Sequence, residues 1–414
     1  MTYWAQILHF YQPPTQTHAV LRKVATESYL PLVGVLEEHP HARLAINIQG
    51  VLLDLLVEHG LGEVVERLGA LVAMGQVELL GSGEYHPILP LVSEPLRARS
   101  IAGHAAALKR HLGASGGPGF FPPELCFDAG LAPAIGRAGH GWVLLSGVAC
   151  PDGWPTATVY RVATPGHELA ALFRDDVRSN RISFRETDPT RFIADLSGLG
   201  SRGQAYVVTA MDGETYGHHI RGWERDFLAT TYDILNPERA GIPAASAPVI
   251  MVQPSELLDL FPAGPAVTPR AASWSTTESD IAAGDPYPLW RSPGNEVHAM
   301  QWDYVDHVVA LHGAALCFAA TSDGAKKYAA IADETLDAAL HSCQFWWASR
   351  RPMWDVTMIH RGFQLLTTVL LNAEKSVALA AIPNAERRET EWRAAAAADL
   401  RQRLERILFV ESPA

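Results

Sequence analysis

The chain has 414 residues, of which 48% are hydrophobic and 19% are charged, and its formal net charge is -12 at pH 7. A chain of this length is too long for one small hydrophobic core, so we expect two packed parts. Its composition is that of ordinary globular proteins, which excludes a largely disordered chain. The negative charge excludes a nucleic-acid partner, because binding a phosphate backbone requires Lys and Arg gathered on one face.

The N-terminal residues 1–9 predict a first β-strand. They lack the basic start, the longer apolar stretch and the small-residue cleavage site of a signal peptide, and no apolar run approaches the length of a membrane span. We therefore expect a cytoplasmic protein that does not enter a membrane. The four cysteines are scattered without a C-x-x-C pair, so we expect reduced and mostly buried thiols.

Up to about residue 262, short apolar segments alternate with helical patterns, as in β/α units with a parallel sheet. Strands are predicted at 7–9, 44–48, 76–80, 142–145, 205–210 and 249–252, and a buried helix at 51–57. Residues 263–300 predict a long connecting region, rich in Pro, Gly, Ala and Ser at its start. Helices are then predicted at 301–320, 325–348, 357–381 and 385–409.

Polar and aromatic residues follow several of these strands, at the end where β/α-barrels build their active sites. His9, Tyr11 and Gln12 follow the first strand, and they suit either a sugar site or a packed aromatic corner. Glu84 and His86 follow the third strand. For this pair, substrate contact competes with a surface carboxylate and a core histidine.

Glu124 is the first catalytic candidate. It stands between Pro122-Pro123 and the apolar Leu125, where an acid costs free energy unless it is hydrogen-bonded or used. The alternative interpretation is an acid at the first turn of a helix that begins after the two prolines.

Asp212 is the second candidate, because it leaves the strand at 205–210 directly and Gly213 allows a sharp turn. Two carboxylates in an aromatic-rich barrel mouth indicate cleavage of a glycosidic bond, with one acid protonating the leaving oxygen. Burial and the charge of Glu124 should raise the pKa of Asp212. Retention and inversion both stay open at this point. A metal site with His218 and His219 is the weaker alternative, since no H-E-x-x-H pair accompanies them.

The motifs before the catalytic candidates resemble those of glycoside hydrolase family 57. The family's H-x-H-Q-P motif stands here as His9-Phe10-Tyr11-Gln12-Pro13, with Tyr11 replacing the second His. Its second motif, which begins G-Q-x-E, resembles Gly75-Gln76-Val77-Glu78 with the following segment 85–89. Some members carry Glu at the position of His86.

The later motifs extend the resemblance. The family's G-x-W-x-x-E pattern, which holds the nucleophile, is similar to residues 119–124, with Phe121 in place of Trp. The D-G-E segment with the acid/base matches Asp212-Gly213-Glu214. The fifth motif, which supplies an aromatic substrate contact, is similar to Ser273-Trp274 and Gly284-Asp285.

The resemblance implies an α/β fold, an incomplete TIM-like (β/α)7 barrel at residues 1–262, followed after the connecting region by a C-terminal α-helical bundle at 301–414. It also implies a retaining, metal-independent mechanism without cofactor, with Glu124 as nucleophile and Asp212 as acid/base. The expected partner is an α-linked glucan, which an amylase or 4-α-glucanotransferase would use. Expected substrate contacts are His9, Tyr11, Gln12, His86, Glu214, His218, Trp274, Asp285 and Trp290.

Other functions stay open beside this one. Within the family, a glucan branching enzyme or an α-galactosidase would share the fold and mechanism. From other classes, a metal-dependent polysaccharide deacetylase has a related barrel but needs an Asp and two His ligands, and a carbohydrate-binding pseudoenzyme would bind without turnover. The oligomeric state is not predicted.

Overall fold

The computed structural model describes residues 1–114, 116–164, 167–236 and 248–410. It divides the chain into two compact units, Met1–Trp274 and Ser275–Ala414. The boundary between the units lies inside the predicted connecting region 263–300, so residues 263–274 belong to the first unit.

The first unit alternates strands and helices. Its strands are β1 (Thr2–Phe10), β2 (Leu44–Ile48), β3 (Val77–Leu79), β4 (Gly119–Phe120), β5 (Trp142–Leu145), β6 (Val159–Thr164), β7 (His167–Phe173), β8 (Ala205–Asp212), β9 (Val249–Val252) and β10 (Ala263–Val267). Its longer helices are His18–Val24, Leu30–Glu38, Gly50–Glu58, Gly62–Ala73, Glu94–Leu112, Asp176–Ser183 and Pro189–Leu199.

Parallel pairing arranges seven of the described strands into an incomplete barrel. β8, β1, β2 and β3 pair in that order, and β4, β5 and β7 pair in that order. A bridge between Gly81 and Phe120 joins the two sheets, and the Asp175 N–H donates to the Val208 carbonyl at 2.8 Å, beside β7. The (β/α)7 architecture predicted for this unit is therefore confirmed.

Several strands escaped prediction because they are very short or lack a long apolar segment. β4 has only two residues, and β10 pairs with β6 although its own side chains are mostly exposed. β6 runs antiparallel to β7 and lies outside the ring of seven. Backbone hydrogen bonds rather than a long apolar segment define these strands, so the sequence has no hydrophobic periodicity that would predict them.

The second unit is helical. It contains short helices at Glu278–Ala282 and Cys343–Trp346 and long helices at Glu296–Phe318, Asp323–Ala339, Val356–Leu379 and Asn384–Val410. The long helices pack on one another around small and aliphatic side chains. The predicted helix at 325–348 is interrupted, because the chain leaves the helix at Leu340 and starts a new turn at Cys343.

The first long helix of this unit, with the turn after it, covers residues 296–321 and is apolar and long enough to cross a membrane by length and composition. Core helices of water-soluble proteins pass the same test, and this helix packs against the other three long helices of its unit. The four cysteines are free: Cys126 and Cys150 are buried, whereas Cys343 is half-buried and Cys317 is exposed.

Candidate active site

Asp212 and His9 lie side by side at the carboxyl ends of two paired strands. β1 and β8 are parallel, and their register pairs His9 with Asp212. The chain then turns sharply at Gly213, where an added Cβ would lie 1.7 Å from the ring of Phe10. Only glycine fits this turn, because any side chain at position 213 would clash with the Phe10 ring.

Glu124 is held in an uncommon backbone conformation. Its φ is 58° and that of Leu125 is 50°, both in the left-handed region that costs free energy for residues other than glycine. Pro123–Leu125 forms a single 3-10 turn, so the alternative of an acid at the start of an α-helix is wrong. Strain of this kind concentrates at functional sites, where the surrounding contacts hold it in place.

Trp274 fixes the Glu124 carboxyl group. Its indole N–H donates to Glu124 Oε2 at 2.9 Å, and its backbone N–H donates to the Glu124 carbonyl at 3.1 Å. The indole ring also lies edge-on to Phe121 and His9. Trp274, which is 150 residues away in the sequence, thus holds Glu124 by one side-chain and one backbone hydrogen bond.

The two carboxyl groups are half-buried and interact electrostatically. Burial, and then the charge of Asp212, raise the pKa of Glu124 to about 8, against the hydrogen bond from Trp274. Burial also raises the pKa of Asp212, while the charges of His9 and Arg174 oppose the rise. Two neighbouring carboxylates in such a site disfavour double ionisation, so the pair retains a proton near neutral pH.

His9, Tyr11 and His86 belong to one stack of rings beside Glu124. Tyr11 and His86 stack with centroids 4.0 Å apart, His86 and His9 at 4.9 Å, and His9 and Phe121 at 4.9 Å. His86 Nδ1 lies 3.7 Å from Glu124 Oε1. The sequence was compatible with either a sugar site or a packed aromatic corner. In the structure these rings pack on one another, and they lie beside Glu124, the nucleophile candidate.

Gln12 and Glu214 are joined to each other. The Gln12 amide donates to Glu214 Oε1 at 3.0 Å, and the Tyr29 hydroxyl donates to the same oxygen. Glu214 is only 4% exposed, so the expected substrate contact is replaced by a buried carboxyl group with protein partners. His218 pairs instead with Glu27, at 2.7 Å between Nδ1 and Oε2, and remains partly exposed.

Arg174 is a site residue that the sequence reasoning missed. Its buried guanidinium donates to the Ala210 carbonyl at 2.7 Å and to Asp176 and Asn180, and it lies 5.9 Å from the centre of the Trp274 ring. Its charge acts on Asp212. Its position directly after β7 could have indicated a functional role, because other candidate site residues lie after β1 and at the end of β8.

Asp285 and Trp290 lie in the second unit. Asp285 Oδ2 accepts a hydrogen bond from the Ser292 hydroxyl at 2.6 Å, and burial raises the pKa of Asp285. Trp290 is fully buried, and its carbonyl accepts from the Trp302 indole. The expectation that Trp290 offers a face for sugar stacking is therefore not supported, because a buried ring has no accessible face.

Comparison with known proteins identifies the family. The model of glycosyl hydrolase family 57 matches residues 5–263. An α-amylase of Pyrococcus horikoshii is 27% identical over 238 residues, which are 53% of this chain and 36% of the relative. A 4-α-glucanotransferase of Thermococcus kodakarensis is 26% identical over 53% of this chain and 35% of its own length. The chain thus spans about a third of the length of these relatives.

A solved structure supports the fold along nearly the whole chain. The family 57 branching enzyme of Thermococcus kodakaraensis superimposes with a TM-score of 0.70 at 12% identity, covering 96% of this chain and 95% of that one. At this identity the likeness concerns the fold alone. Because the family model matches well over half of the chain, the protein belongs to glycosyl hydrolase family 57.

Proposed function

We propose that the protein is a retaining glycosidase or transglycosylase that acts on α-linked glucans, with Glu124 as nucleophile and Asp212 as acid/base. The observation that carries the proposal is the coupled carboxyl pair, in which Glu124 is oriented by Trp274 and Asp212 is set by the turn at Gly213. Cleavage of a glycosidic bond needs two such groups with different protonation states.

In the first step, the Glu124 carboxylate attacks the anomeric carbon and the bond from that carbon to the leaving oxygen breaks. The proton of Asp212 moves to the leaving oxygen, so the first sugar product departs neutral and a glycosyl ester remains on Glu124. The productive form therefore carries the proton on Asp212, whereas burial and the charge of Asp212 favour a protonated Glu124 in the protein without substrate. The indole N–H of Trp274 favours the productive form, because it stabilises Glu124 as a carboxylate.

In the second step, Asp212 takes a proton from the acceptor, whose oxygen attacks the anomeric carbon and displaces the Glu124 carboxylate. Water as acceptor gives hydrolysis, and a sugar hydroxyl gives transfer to another chain. Two inversions at the anomeric carbon restore its original configuration.

The names of the sequence relatives support the substrate class. These relatives are named α-amylases and 4-α-glucanotransferases. Both names describe action on α-linked glucose chains. The partly exposed rings of Tyr11 and Trp274 suit a sugar, which has hydroxyl edges and an apolar face.

Product analysis tests the function directly. We would incubate the protein with maltoheptaose and amylose in excess chelator, with Glu124→Gln as control, and resolve products by chain length and linkage. Shorter chains indicate a hydrolase, redistributed longer chains a glucanotransferase, and new 1,6 linkages a branching enzyme. Activity that requires a metal would favour the deacetylase alternative, and binding without turnover by the wild type would favour the pseudoenzyme.

Azide rescue tests the two assigned roles separately. In a Glu124→Ala variant, azide replaces the missing nucleophile and attacks an α-glucosyl fluoride once, so the product should be the β-azide. In an Asp212→Ala variant, azide attacks the glycosyl ester and should give the α-azide. Exchange of the two outcomes would reverse the assignment of nucleophile and acid/base.

A cytoplasmic location remains a prediction of this proposal. Cell fractionation of the native source with an antibody to the protein would check it, and recovery in a membrane or secreted fraction would contradict it.

A further inference from the structure

Glu214 is a third carboxyl group at the site, and it is buried, unlike the half-buried Glu124 and Asp212. Nothing in the proposed mechanism uses it. Its Oε1 accepts hydrogen bonds from the Tyr29 hydroxyl and from the Gln12 amide at 3.0 Å. Gln12 Oε1 in turn accepts from the Gln16 amide at 2.8 Å. The carboxyl group is thus committed to protein partners and is nearly inaccessible to a substrate, at 4% exposure.

The local backbone keeps Glu214 close to Asp212. The two residues flank Gly213 in a 3-10 turn over Gly213–Thr215, which begins where β8 ends. The Ser28 hydroxyl donates to the Gly213 carbonyl at 3.0 Å, and the His219 N–H donates to the Glu214 carbonyl at 2.8 Å. Both ends of the turn are therefore tied down, and Glu214 cannot swing away without breaking these contacts.

We propose that Glu214 is a positioning residue whose buried carboxyl group, held by Tyr29 and Gln12, acts on Asp212 through its charge and not on the substrate. This inference rests on the proposed role of Asp212 as acid/base. Tyr29 of the segment Ala25–Tyr29 and Gln12 of the loop after β1 donate hydrogen bonds to Glu214. The charge of Asp212, at the end of β8, also acts on Glu214. Asp212 itself also faces the charges of His9, Arg174 and Glu124.

The electrostatics agree with this geometry. Burial, and then the charge of Asp212, raise the pKa of Glu214 to about 7, while the hydrogen bonds from Tyr29 and Gln12 oppose the rise. Repulsion between two like charges is mutual, so an ionised Glu214 disfavours the Asp212 carboxylate in the same way. An ionised Glu214 therefore favours the protonated form of Asp212, which the leaving oxygen needs.

The first test is the dependence of kcat/KM on pH for Glu214→Gln. Loss of the neighbouring charge should lower the pKa of Asp212 and move the alkaline limb of the profile to lower pH by about one unit. Glu214→Asp, which keeps the charge, should hold the limb near its wild-type position. A Glu214→Gln limb that stays in place, with kcat or KM changed equally at every pH, would overturn the proposal in favour of a structural or substrate-binding role.

Tyr29→Phe provides a second variant in case Glu214→Gln does not fold. It removes a hydrogen bond that favours the Glu214 carboxylate, so Glu214 should ionise at higher pH. The alkaline limb should then move in the same direction as in Glu214→Gln, but by less. A shift in the opposite direction, or none, would contradict the inference.

A measurement without substrate separates this inference from the proposed function. Infrared difference titration of the wild type against Asp212→Asn reports protonation of the Asp212 carboxyl group. The same pair of measurements in the Glu214→Gln background should give a lower apparent pKa for Asp212, and an unchanged value would overturn the inference. A wild type that turns over no glycan would instead count against the proposed function alone.

Discussion

The mouth of the barrel and the core of the helical unit bury their titratable groups with different consequences. At the barrel mouth, burial raises the pKa values of Glu124 and Glu214 to about 8 and about 7, and the repulsion of Asp212 adds to both. In the helical unit, burial lowers the pKa values of His298 and His341 to about 4 and about 3. The first region holds interacting groups that titrate near neutral pH, whereas the second holds neutral rings.

This difference separates function from packing. A buried histidine that stays neutral places no charge in the core at neutral pH. Neither ring nitrogen of His341 has a hydrogen-bond partner among the residues that the structure describes. Carboxyl groups crowded at a strand end destabilise the fold under the conditions in which the protein works, and such a cost is typical of active sites.

The largest expected effect is on catalysis by Asp212→Asn. Loss of the general acid should lower kcat/KM on maltooligosaccharides by roughly 10²–10⁴-fold. An α-glucosyl fluoride needs no protonation of its leaving group, so its first step should be slowed far less. Steady-state kinetics on both substrates would check this, and an equal loss on both would contradict the acid role.

The next effect concerns stability and distinguishes the two regions directly. The ordinary pKa of the Glu124 carboxyl is 4.5 and its folded value is about 8, so unfolding releases a proton between these values and stability falls as pH rises. Glu124→Gln, which cannot ionise, should be more stable than the wild type by roughly 2–4 kcal/mol at pH 8. Denaturant unfolding at pH 4 should show no such gain, and a gain of equal size there would point to packing instead.

His341 should show the opposite dependence on pH. Its ordinary pKa is 6.5 and its folded value is about 3, so the unfolded chain takes up a proton as pH falls through this window and stability is lost. His341→Leu should reduce the loss between pH 6.5 and 4 by roughly 1–3 kcal/mol, with turnover at neutral pH unchanged. Acid unfolding followed by circular dichroism would measure it, and unchanged acid sensitivity would show that His341 is not the responsible group.

The smallest effect tests the link between Trp274 and the nucleophile. Trp274→Phe keeps an aromatic ring but removes the N–H that donates to Glu124 Oε2 at 2.9 Å. The pKa of Glu124 should rise further, the acid limb of the kcat/KM profile should move to higher pH, and kcat/KM should fall by about tenfold. A loss confined to KM, with both limbs in place, would assign Trp274 to sugar binding alone.

Much of the barrel was predictable because its strands are buried on both faces. Residues 44–48, 142–145 and 205–210 are largely apolar segments, and each forms a parallel strand. β4 and β10 were not predictable, since their residues pair through the backbone with segments far away in the chain. The interruption after Leu340 was also missed, because helical composition continues across it.

Glu124 and Asp212 were recognisable as isolated acids in apolar or strand-end surroundings, a property of the local sequence. Trp274 was predicted only as a sugar platform, and its bond to Glu124 was not. Arg174 and Tyr29 were absent from the prediction altogether. Their partners lie 36 and 185 residues away, and no local pattern encodes such a pairing.

The order of residues therefore determined the alternation of strands and helices, the positions of the acids after the strands, and the glycine that the turn at 213 requires. Folding decided which acids share a low-polarity site, which partners they accept, and how strongly their charges interact. The reason is physical: hydrophobic periodicity and turn preference act over a few residues, whereas burial and Coulomb repulsion depend on distances that exist only once remote strands are side by side.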